Sequence, residues 1–259
     1  MPNFRFTLLL VTLATLTGPA VAQPAPLELH HRLRLADPSS RQLALTLDAC
    51  SGQFDEKLIQ YLIQHRIPST LFVTKRWLDR NPPGVAIIKS HLDLFDVEDH
   101  GERHKPAIID SELEVYGIAA HPDVEHLRRE VMGGARAIEL TFGVAPRWYR
   151  AGTALYDQPS IREIERLGYR IAGFSVNADA GATRSKAAIV RALARARAGD
   201  VIIAHMNKPD SETAQGLAAG LQALVDQGFV FVRLDQVELQ LVPDPPARIP
   251  PVPAARKPD

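Results

Sequence analysis

Polar side chains stand at the ends of five short apolar runs, where they could carry out acid–base or metal chemistry. These residues are Asp48, His100 with His104, Arg150, Asn177 with Asp179, and His205. Carboxylate and imidazole groups can activate a water molecule and protonate a leaving group, while a guanidinium can orient a carboxylate. One such residue carries little weight, but five run ends together predict an active site.

The first candidate metal ligands are His100 and His104, which are four residues apart. On a helix this spacing places both imidazoles on one face, where they can bind zinc. Gly101 and Arg103 occupy the positions at which the two known zinc-peptidase helix motifs have glutamate, so neither motif is present. The pair alone leaves two interpretations open, a metal site and an ordinary polar loop.

His205 and Arg150 are the other strongly indicated groups. His205 follows four apolar residues, and histidine has the pKa range for proton transfer near neutral pH. Arg150 ends the run 147–150, where it could hold a carboxylate ionised. A core histidine and a strand-end salt bridge are the alternative interpretations of these two residues.

An alternation of strand-like and helix-like segments positions these groups. The predicted strands are 43–48, 70–74, 94–99, 147–150, 170–176, 201–205 and 229–234. The predicted helices are 54–65, 83–90, 124–140, 158–166, 185–198 and 212–227. This order predicts an α/β fold with a parallel sheet, either closed into a barrel or open and doubly wound.

The turn after the first strand decides against a nucleotide-binding sheet, because Ala49-Cys50-Ser51-Gly52-Gln53 contains neither a dinucleotide fingerprint nor a P-loop. In a parallel barrel the chemistry collects at the C-terminal ends of the strands, which is where the polar residues fall. These features favour a closed barrel, and the open doubly wound sheet stays the alternative.

Composition and the chain ends suggest a cellular location. The 259 residues include 30 Lys+Arg and 30 Asp+Glu, so neither nucleic acid nor an anionic membrane is an expected partner. A single cysteine excludes a disulfide within the chain. Residues 1–22 are typical of a cleaved signal peptide, an uncleaved anchor being the alternative, and we expect a periplasmic or secreted protein without a membrane span. Residues 23–41 would form an extension, 42–242 the barrel, and 243–259 a disordered proline-rich tail.

The order of these motifs resembles the polysaccharide deacetylase family, the NodB-homology hydrolases of carbohydrate esterase family 4, over residues 43–234. Thr46-Leu47-Asp48-Ala49 resembles the Thr-Phe-Asp-Asp motif of the family, and 100–104 resembles its metal-binding His-x-x-x-His motif. Residues 150–156 stand where Arg-x-Pro-Tyr would fall, and 201–205 is similar to Leu-x-Leu-x-His.

The resemblance implies an α/β fold that is a distorted barrel of seven or eight strand–helix units in one domain. It also implies metal-assisted hydrolysis of an acetamide in an N-acetylated glycan. A divalent metal, with zinc as the first candidate, would be bound by His100 and His104. Asp48 would be the base, oriented by Arg150. His205 would be the acid, held in its tautomer by Asp179.

Three departures from the family pattern leave alternatives open. Ala49 replaces a metal-binding aspartate, so a third protein ligand would have to come from Asp48 or another group, such as Cys50. Gly152 stands where proline is expected, and Asn177 stands where aspartate is usual. A catalytically silent glycan-binding module and an amidohydrolase of small amides are therefore the alternative functions.

Three further residues are expected to bind the glycan substrate. They are Trp148, Tyr156 and Asn177. Trp148 lies two residues before Arg150, and its ring could stack on a sugar, although core packing is the alternative.

Overall fold

The computed structural model describes residues 26–110 and 112–242. The predicted signal peptide (1–22) and proline-rich tail (243–259) lie outside this range. The strands are β1 (Leu27–Glu28), β2 (His31–Leu33), β3 (Gln42–Ala49), β4 (Ser69–Val73), β5 (Phe95–Asp99), β6 (Glu114–Val115), β7 (Ile118–Ala119), β8 (Trp148–Tyr149), β9 (Leu155–Tyr156), β10 (Arg170–Ile171), β11 (Val176–Asn177), β12 (Val201–His205), β13 (Val230–Val232) and β14 (Leu239–Leu241). The helices are α1 (Glu56–Gln64), α2 (Lys75–Arg80), α3 (Pro82–Lys89), α4 (Val124–Phe142), α5 (Gln158–Arg166), α6 (Lys186–Leu193) and α7 (Thr213–Asp226).

A curled parallel sheet forms the centre of the molecule. Its strands follow the order β10-β8-β5-β4-β3-β12-β11, and β13 pairs with the first residues of β3. The two ends of this order, β10 and β11, belong to one chain segment that pairs first with β8 and then with β12. The expectation of a distorted α/β barrel in one domain is thereby confirmed.

The central strand β3 separates two apolar layers by simple alternation. Leu43, Leu45, Leu47 and Ala49 belong to the cluster that packs under the helices. Ala44 belongs to the second cluster, on the opposite face of β3, with residues from the other strands of the sheet. Because successive side chains of a strand point to opposite faces, the even-numbered residues of β3 form the inner face.

Local capping explains where most helices begin. A side-chain oxygen of the residue before α1, α2, α4, α5 and α6 accepts a backbone N–H of the first turn. These caps are Asp55, Thr74, Asp123, Asp157 and Ser185. Each satisfies a backbone donor that the helix itself leaves unpaired.

The structure adds several features that the sequence did not predict. The run predicted as one strand, 170–176, is divided into β10 and β11, because residues 29–31 bond to Phe174 in the gap between them. Within the extension predicted for 23–41, the described residues 26–41 contribute β1 and β2, which pair with β9 and β14. Helix α2 was not predicted, since six residues are too few for a clear helical period.

None of the helices in the described part of the chain has the combination of length and apolarity that would carry it across a membrane.

Two carboxyls of β5, the half-buried Asp96 and the buried Glu98, predict a pH-dependent stability. Burial is the main cause that raises the pKa of Asp96 to about 6 and that of Glu98 to about 8. The charge of Asp235 raises the pKa of Asp96 further, and the charge of Asp96 raises that of Glu98, although nearby arginines oppose both shifts. Glu98 Oε2 also accepts the N–H groups of Arg147 (2.7 Å) and Trp148 (2.8 Å). The folded state holds these protons more tightly than the unfolded state does, so protonation of the two carboxyls stabilises the fold. This contribution to the free energy of unfolding is complete below about pH 4 and is lost as the pH rises through about 8.

We therefore expect Glu98→Gln to flatten the pH dependence of the free energy of unfolding. Glutamine keeps an oxygen for the two N–H donors but cannot ionise, so its advantage over the wild type should grow to about 2 kcal/mol between pH 5 and pH 9. Urea unfolding of both proteins across this range measures the difference, with Glu125→Gln on the exposed side of α4 as a control. Parallel curves for the wild type and Glu98→Gln would contradict this account.

Candidate active site

A cleft of about 560 Å³ opens at the C-terminal ends of the central strands. Asp48 at the end of β3 and His205 at the end of β12 are directly opposite each other in the sheet register, and both line the cleft. Cys50, His104 and Thr153 line it as well. The sheet therefore brings together residues that are as much as 157 positions apart in sequence.

Asp48 is held by a buried ion pair with Arg150. The Arg150 guanidinium is 0% exposed and donates to Asp48 Oδ1 at 2.7 Å and to Thr46 Oγ1 at 2.9 Å. It also donates to the carbonyl oxygen of Ala172 and lies over the Phe72 ring. Burial alone would raise the pKa of Asp48, but the charges of Arg150 and of the neighbouring histidines hold it below its ordinary value. Asp48 is thus an ionised, oriented carboxylate.

His205 is oriented by a second buried carboxylate, Asp179. His205 Nδ1 lies 2.9 Å from Asp179 Oδ1, and the backbone N–H of His205 donates to Asp179 Oδ2 at 2.8 Å. Thr213 Oγ1 donates to the same Oδ2 at 3.1 Å. Burial would lower the pKa of His205, but the bond to Asp179 and the proximity of Cys50 raise it well above its ordinary value. The ring therefore favours the protonated form and presents Nε2 away from Asp179.

Cys50, His100 and His104 form a cluster of potential metal ligands beside Asp48. One ligand atom from each lies within 4.8 Å of the other two. Cys50 Sγ is 3.6 Å from His100 Nε2, and the two histidine rings meet edge to face with centroids 4.9 Å apart. Burial would raise the pKa of the Cys50 thiol, but hydrogen bonds with His100, His104 and His205 hold it well below its ordinary value. Sulfur and imidazole nitrogen are the donors that zinc prefers, so these residues fit a divalent metal.

The histidines are carried by a loop and not by the helix that the four-residue spacing suggested. Gly101 (φ +84°) and His104 (φ 68°) both have left-handed backbone conformations, which bring the two rings together. Glu130 of α4 holds this loop, because its Oε1 accepts the N–H groups of Arg103 (2.8 Å) and Lys105 (3.1 Å). Asp99 Oδ1 accepts the N–H of Gly101 at 2.8 Å.

The glycine found in place of the expected proline has a steric reason. A Cβ on Gly152 would lie 2.4 Å from the carbonyl carbon and oxygen of His104, so the two loops can touch only if this residue is glycine. The next residue, Thr153, has φ 66° and lines the cleft. Its hydroxyl is buried and has no hydrogen-bond partner among the described residues.

We expect Gly152→Ala to displace His104 and to lower both metal affinity and any hydrolytic activity by at least about 10-fold. Metal titration and activity assays would measure the loss. Gly143→Ala is the matched control, since Gly143 is also strained for alanine (φ +77°) but faces open space away from the cleft. Equal losses in the two variants would show that Gly152 matters for stability alone.

Two of the predicted substrate-binding residues are misplaced for that role. Trp148 is 2% exposed and packs in the inner core, where the Arg170 guanidinium lies over its ring. Tyr156 is 1% exposed, and its hydroxyl accepts the N–H of Ala151 at 3.0 Å. The prediction that they contact substrate is therefore corrected to a structural role. Asn177 does line the cleft, where its Oδ1 accepts the N–H of Ala180.

Several site residues were not identified from the sequence. Glu130 and Thr213 act on the site through hydrogen bonds from helices α4 and α7, and Asp99 acts through its bond to the N–H of Gly101. No motif marks these three residues. Tyr116 is 72% exposed at the turn between β6 and β7 and lines the cleft. This hairpin is too short to leave a periodic signal.

The structure thus brings an oriented carboxylate, an oriented imidazole and a group of metal-ligand side chains together at one edge of a curled parallel α/β sheet. The sequence matches the polysaccharide deacetylase family over residues 36–172, more than half of the chain, and the chain belongs to this family. The resemblance inferred from the motifs is thereby confirmed. A sequence comparison with curated proteins gave no match.

Solved structures of carbohydrate esterase family 4 share the fold. A peptidoglycan N-acetylglucosamine deacetylase, Bc1960, has a TM-score of 0.64 at 19% identity, over 76% of this chain and 88% of that one. A family 4 acetyl xylan esterase from Clostridium thermocellum, in complex with a cobalt ion, has a TM-score of 0.61 at 17% identity, over 75% and 89%. A CE4 family pseudoenzyme from Bacillus anthracis has a TM-score of 0.62 at 17% identity; this chain is covered over 78% and spans 66% of the pseudoenzyme's length. At these identities the likeness concerns the fold.

Proposed function

We propose that this chain is an exported hydrolase that removes N-acetyl groups from an amino-sugar polymer, such as peptidoglycan, a chitin-like glycan or an exopolysaccharide. The observation that carries the proposal is the pairing of Asp48 with Arg150 and of His205 with Asp179 at one cleft. A base that stays ionised and an acid that stays protonated are the two groups that amide hydrolysis requires.

The protein's own residues can perform the proton transfers of this reaction. Asp48 accepts a proton from the water that attacks the acetyl carbon, and Arg150 keeps the carboxylate oriented throughout. As the C–N bond breaks, His205 gives its Nε2 proton to the departing amine, which is a poor leaving group without it. The products are acetate and a free amino sugar.

The metal-ligand cluster lies beside Asp48, where a metal would act on the acetyl group. His100 and His104 would bind a divalent ion, with zinc as the first candidate because both ligands are imidazoles. When bound, such an ion supplies Lewis-acid polarisation of the carbonyl.

The cleft has features that suit a glycan. Tyr116 and Ile118 form an apolar wall at its rim, and Asn177 supplies a polar group on the lining. Tyr116 is held out into solvent by a two-residue turn in which Tyr116 (φ 53°) and Gly117 (φ +75°) are both left-handed. An aromatic ring presented in this way can stack on the apolar face of a sugar.

We expect Tyr116→Ala to raise KM for an oligosaccharide about 5-fold while kcat changes little, since the ring contributes about 1 kcal/mol of apolar contact far from the reacting atoms. Tyr116→Phe keeps the ring and should retain the wild-type KM. Steady-state kinetics of the wild type and both variants would measure KM and kcat on a chitin oligosaccharide and on a single N-acetylated sugar. An unchanged KM for Tyr116→Ala would exclude the stacking role.

A substrate panel tests the proposed function itself. The purified chain, supplied with zinc or cobalt, would be incubated with peptidoglycan fragments, chitin oligosaccharides, an acetylated exopolysaccharide and small acyclic and cyclic amides. Acetate release from at least one glycan, abolished in Asp48→Asn, is the expected result. Activity confined to the small amides would instead support the amidohydrolase alternative.

A catalytically silent glycan-binding module is the second candidate. Ala49 favours it, because the family's metal-binding aspartate is absent here, and a pseudoenzyme is among the proteins of similar fold. A glycan that is retained by the protein while its mass stays unchanged would support this candidate, whereas turnover would exclude it.

Export rests on the sequence of the first 22 residues alone. N-terminal sequencing of protein recovered from the periplasm or the medium should begin near Gln23. An N-terminus at Met1 in the cytoplasmic fraction would contradict export.

A further inference from the structure

We propose that the Cys50 thiolate is a direct ligand of the active-site metal, together with His100 and His104, and that it takes over the role of the carboxylate missing at position 49. The inference rests on the proposed function for the presence of a metal and specifies its ligand set. It gives the site two nitrogens and one sulfur, a set typical of zinc and cobalt sites.

Strand alternation places Cys50 on the correct side of the sheet. Thr46 and Asp48 point to the inner face of β3, where both contact Arg150. Cys50 follows at the same two-residue interval and lines the cleft with Asp48. Ala49 is 0% exposed and packs in the helix-facing core, so a carboxylate at this position would point away from the histidines.

The backbone of Cys50 is fixed, which keeps the sulfur in place. Thr74 Oγ1 donates to the carbonyl oxygen of Cys50 at 2.7 Å, and the backbone N–H of Thr74 donates to the carbonyl oxygen of Ala49 at 3.2 Å. Thr74 is itself buried as the N-cap of α2. The turn after β3 is therefore anchored on both sides of the thiol.

The hydrogen bonding of His100 leaves one nitrogen available as a ligand. His100 Nδ1 lies 2.7 Å from the carbonyl oxygen of Arg150, which can only accept, so Nδ1 carries the proton. Fixing a ring through Nδ1–H to a carbonyl is the usual arrangement of metal-binding histidines. Nε2 then faces both Cys50 Sγ and Asp48 Oδ2, each at 3.6 Å.

These spacings suit a tetrahedral ion. With bonds of about 2.3 Å to sulfur and about 2.05 Å to nitrogen, two ligands of a tetrahedral zinc lie about 3.6 Å apart. The observed Cys50 Sγ to His100 Nε2 distance is 3.6 Å, and the His104 ligand atom lies within 4.8 Å of both. A small rotation of His104 would complete the set.

The test measures the metal and its ligands independently of turnover. Full-length protein would be loaded with zinc, and bound metal would be counted by mass spectrometry. Zinc K-edge X-ray absorption would then identify the scattering atoms. Because Cys50 is the only cysteine in the chain, any cysteine sulfur bound to zinc must come from it. Variants Cys50→Ser and Cys50→Asp would be measured beside Ser51→Ala, a neighbouring cleft residue that serves as the control.

We expect one zinc per wild-type chain with one sulfur at about 2.3 Å. Cys50→Ser should weaken zinc binding at least about 100-fold. Cys50→Asp should retain zinc with only nitrogen and oxygen neighbours, and Ser51→Ala should match the wild type. Zinc should also protect the wild-type thiol from alkylation by iodoacetamide.

Three results would overturn the proposal. They are a wild-type site with nitrogen and oxygen scatterers alone, wild-type zinc affinity in Cys50→Ser, and a protein that hydrolyses glycan without metal but is inactivated by iodoacetamide. The last would identify Cys50 as a nucleophile paired with His205. If zinc is bound without sulfur but acetate is released, the Cys50 ligand fails and the proposed function stands. If zinc is bound through sulfur but no acetate is released, the Cys50 ligand stands and the proposed function fails.

Discussion

Asp48→Asn is expected to lower kcat/KM for acetate release by about 10³-fold, the scale of a lost general base. Asparagine matches the shape of the carboxylate but cannot accept the proton of the attacking water. The substitution also leaves the Arg150 guanidinium, which is 0% exposed, without its counter-charge. Loss of one partner from such a pair costs about 3 kcal/mol, so the variant should also unfold at lower denaturant concentration.

The two effects of Asp48→Asn can be separated. Activity would be measured at a temperature where circular dichroism shows the variant to be fully folded. Thr46→Val is the matched control, because it removes a neutral contact of Arg150 and keeps the ion pair. A folded Asp48→Asn protein with more than about a tenth of wild-type activity would remove Asp48 from the role of base.

Asp179→Asn is expected to lower kcat by about 10²- to 10⁴-fold while leaving the fold intact. The N–H of His205 and the hydroxyl of Thr213 both donate to Asp179 Oδ2, so the amide oxygen of asparagine would take that position. Its NH₂ group would then face His205 Nδ1 and stabilise the neutral ring over the imidazolium. Such a ring is a poor donor to a departing amine.

Thr213→Val separates this electrostatic effect from local disorder. It removes one hydrogen bond from Asp179 and keeps both charges, so a loss of roughly 3- to 10-fold is expected. Steady-state kinetics on an N-acetylated oligosaccharide would compare both variants with the wild type. Equal losses in Asp179→Asn and Thr213→Val would show that the carboxylate charge is unimportant.

The sequence predicted the parts of the site that follow from strand ends. The strand at 201–205 was predicted with the bounds observed for β12, and Asp48 and His205 lie opposite each other as parallel strands require. The contacts of Arg150 with Asp48 and of Asp179 with His205 agree with the arrangement that the family resemblance implied. Buried parallel strands have continuous apolar runs, which is why their ends are visible in sequence.

The rest of the site depends on features that leave no periodic pattern in the sequence. The loop at 100–104 owes its shape to two left-handed residues and to Glu130 of a distant helix. Trp148 and Tyr156 were placed at the substrate, Trp148 because its ring could stack on a sugar, but each has its polar or charged partner inside the protein. The sequence left open the face of the sheet to which the Cys50 side chain points. Side chains alternate between faces only within a strand, and the sequence does not show where the strand ends and the turn begins.

The most direct test is to measure acetate and new primary amines in the same reaction. Wild-type protein loaded with zinc would act on an N-acetylglucosamine oligosaccharide or on a peptidoglycan fragment. We expect the wild type to release equal amounts of both products, increasing with time, and Asp48→Asn to release neither above background. Folded, zinc-loaded protein that binds the glycan and releases neither product from either substrate would contradict the assignment as a deacetylase and favour the silent binding module.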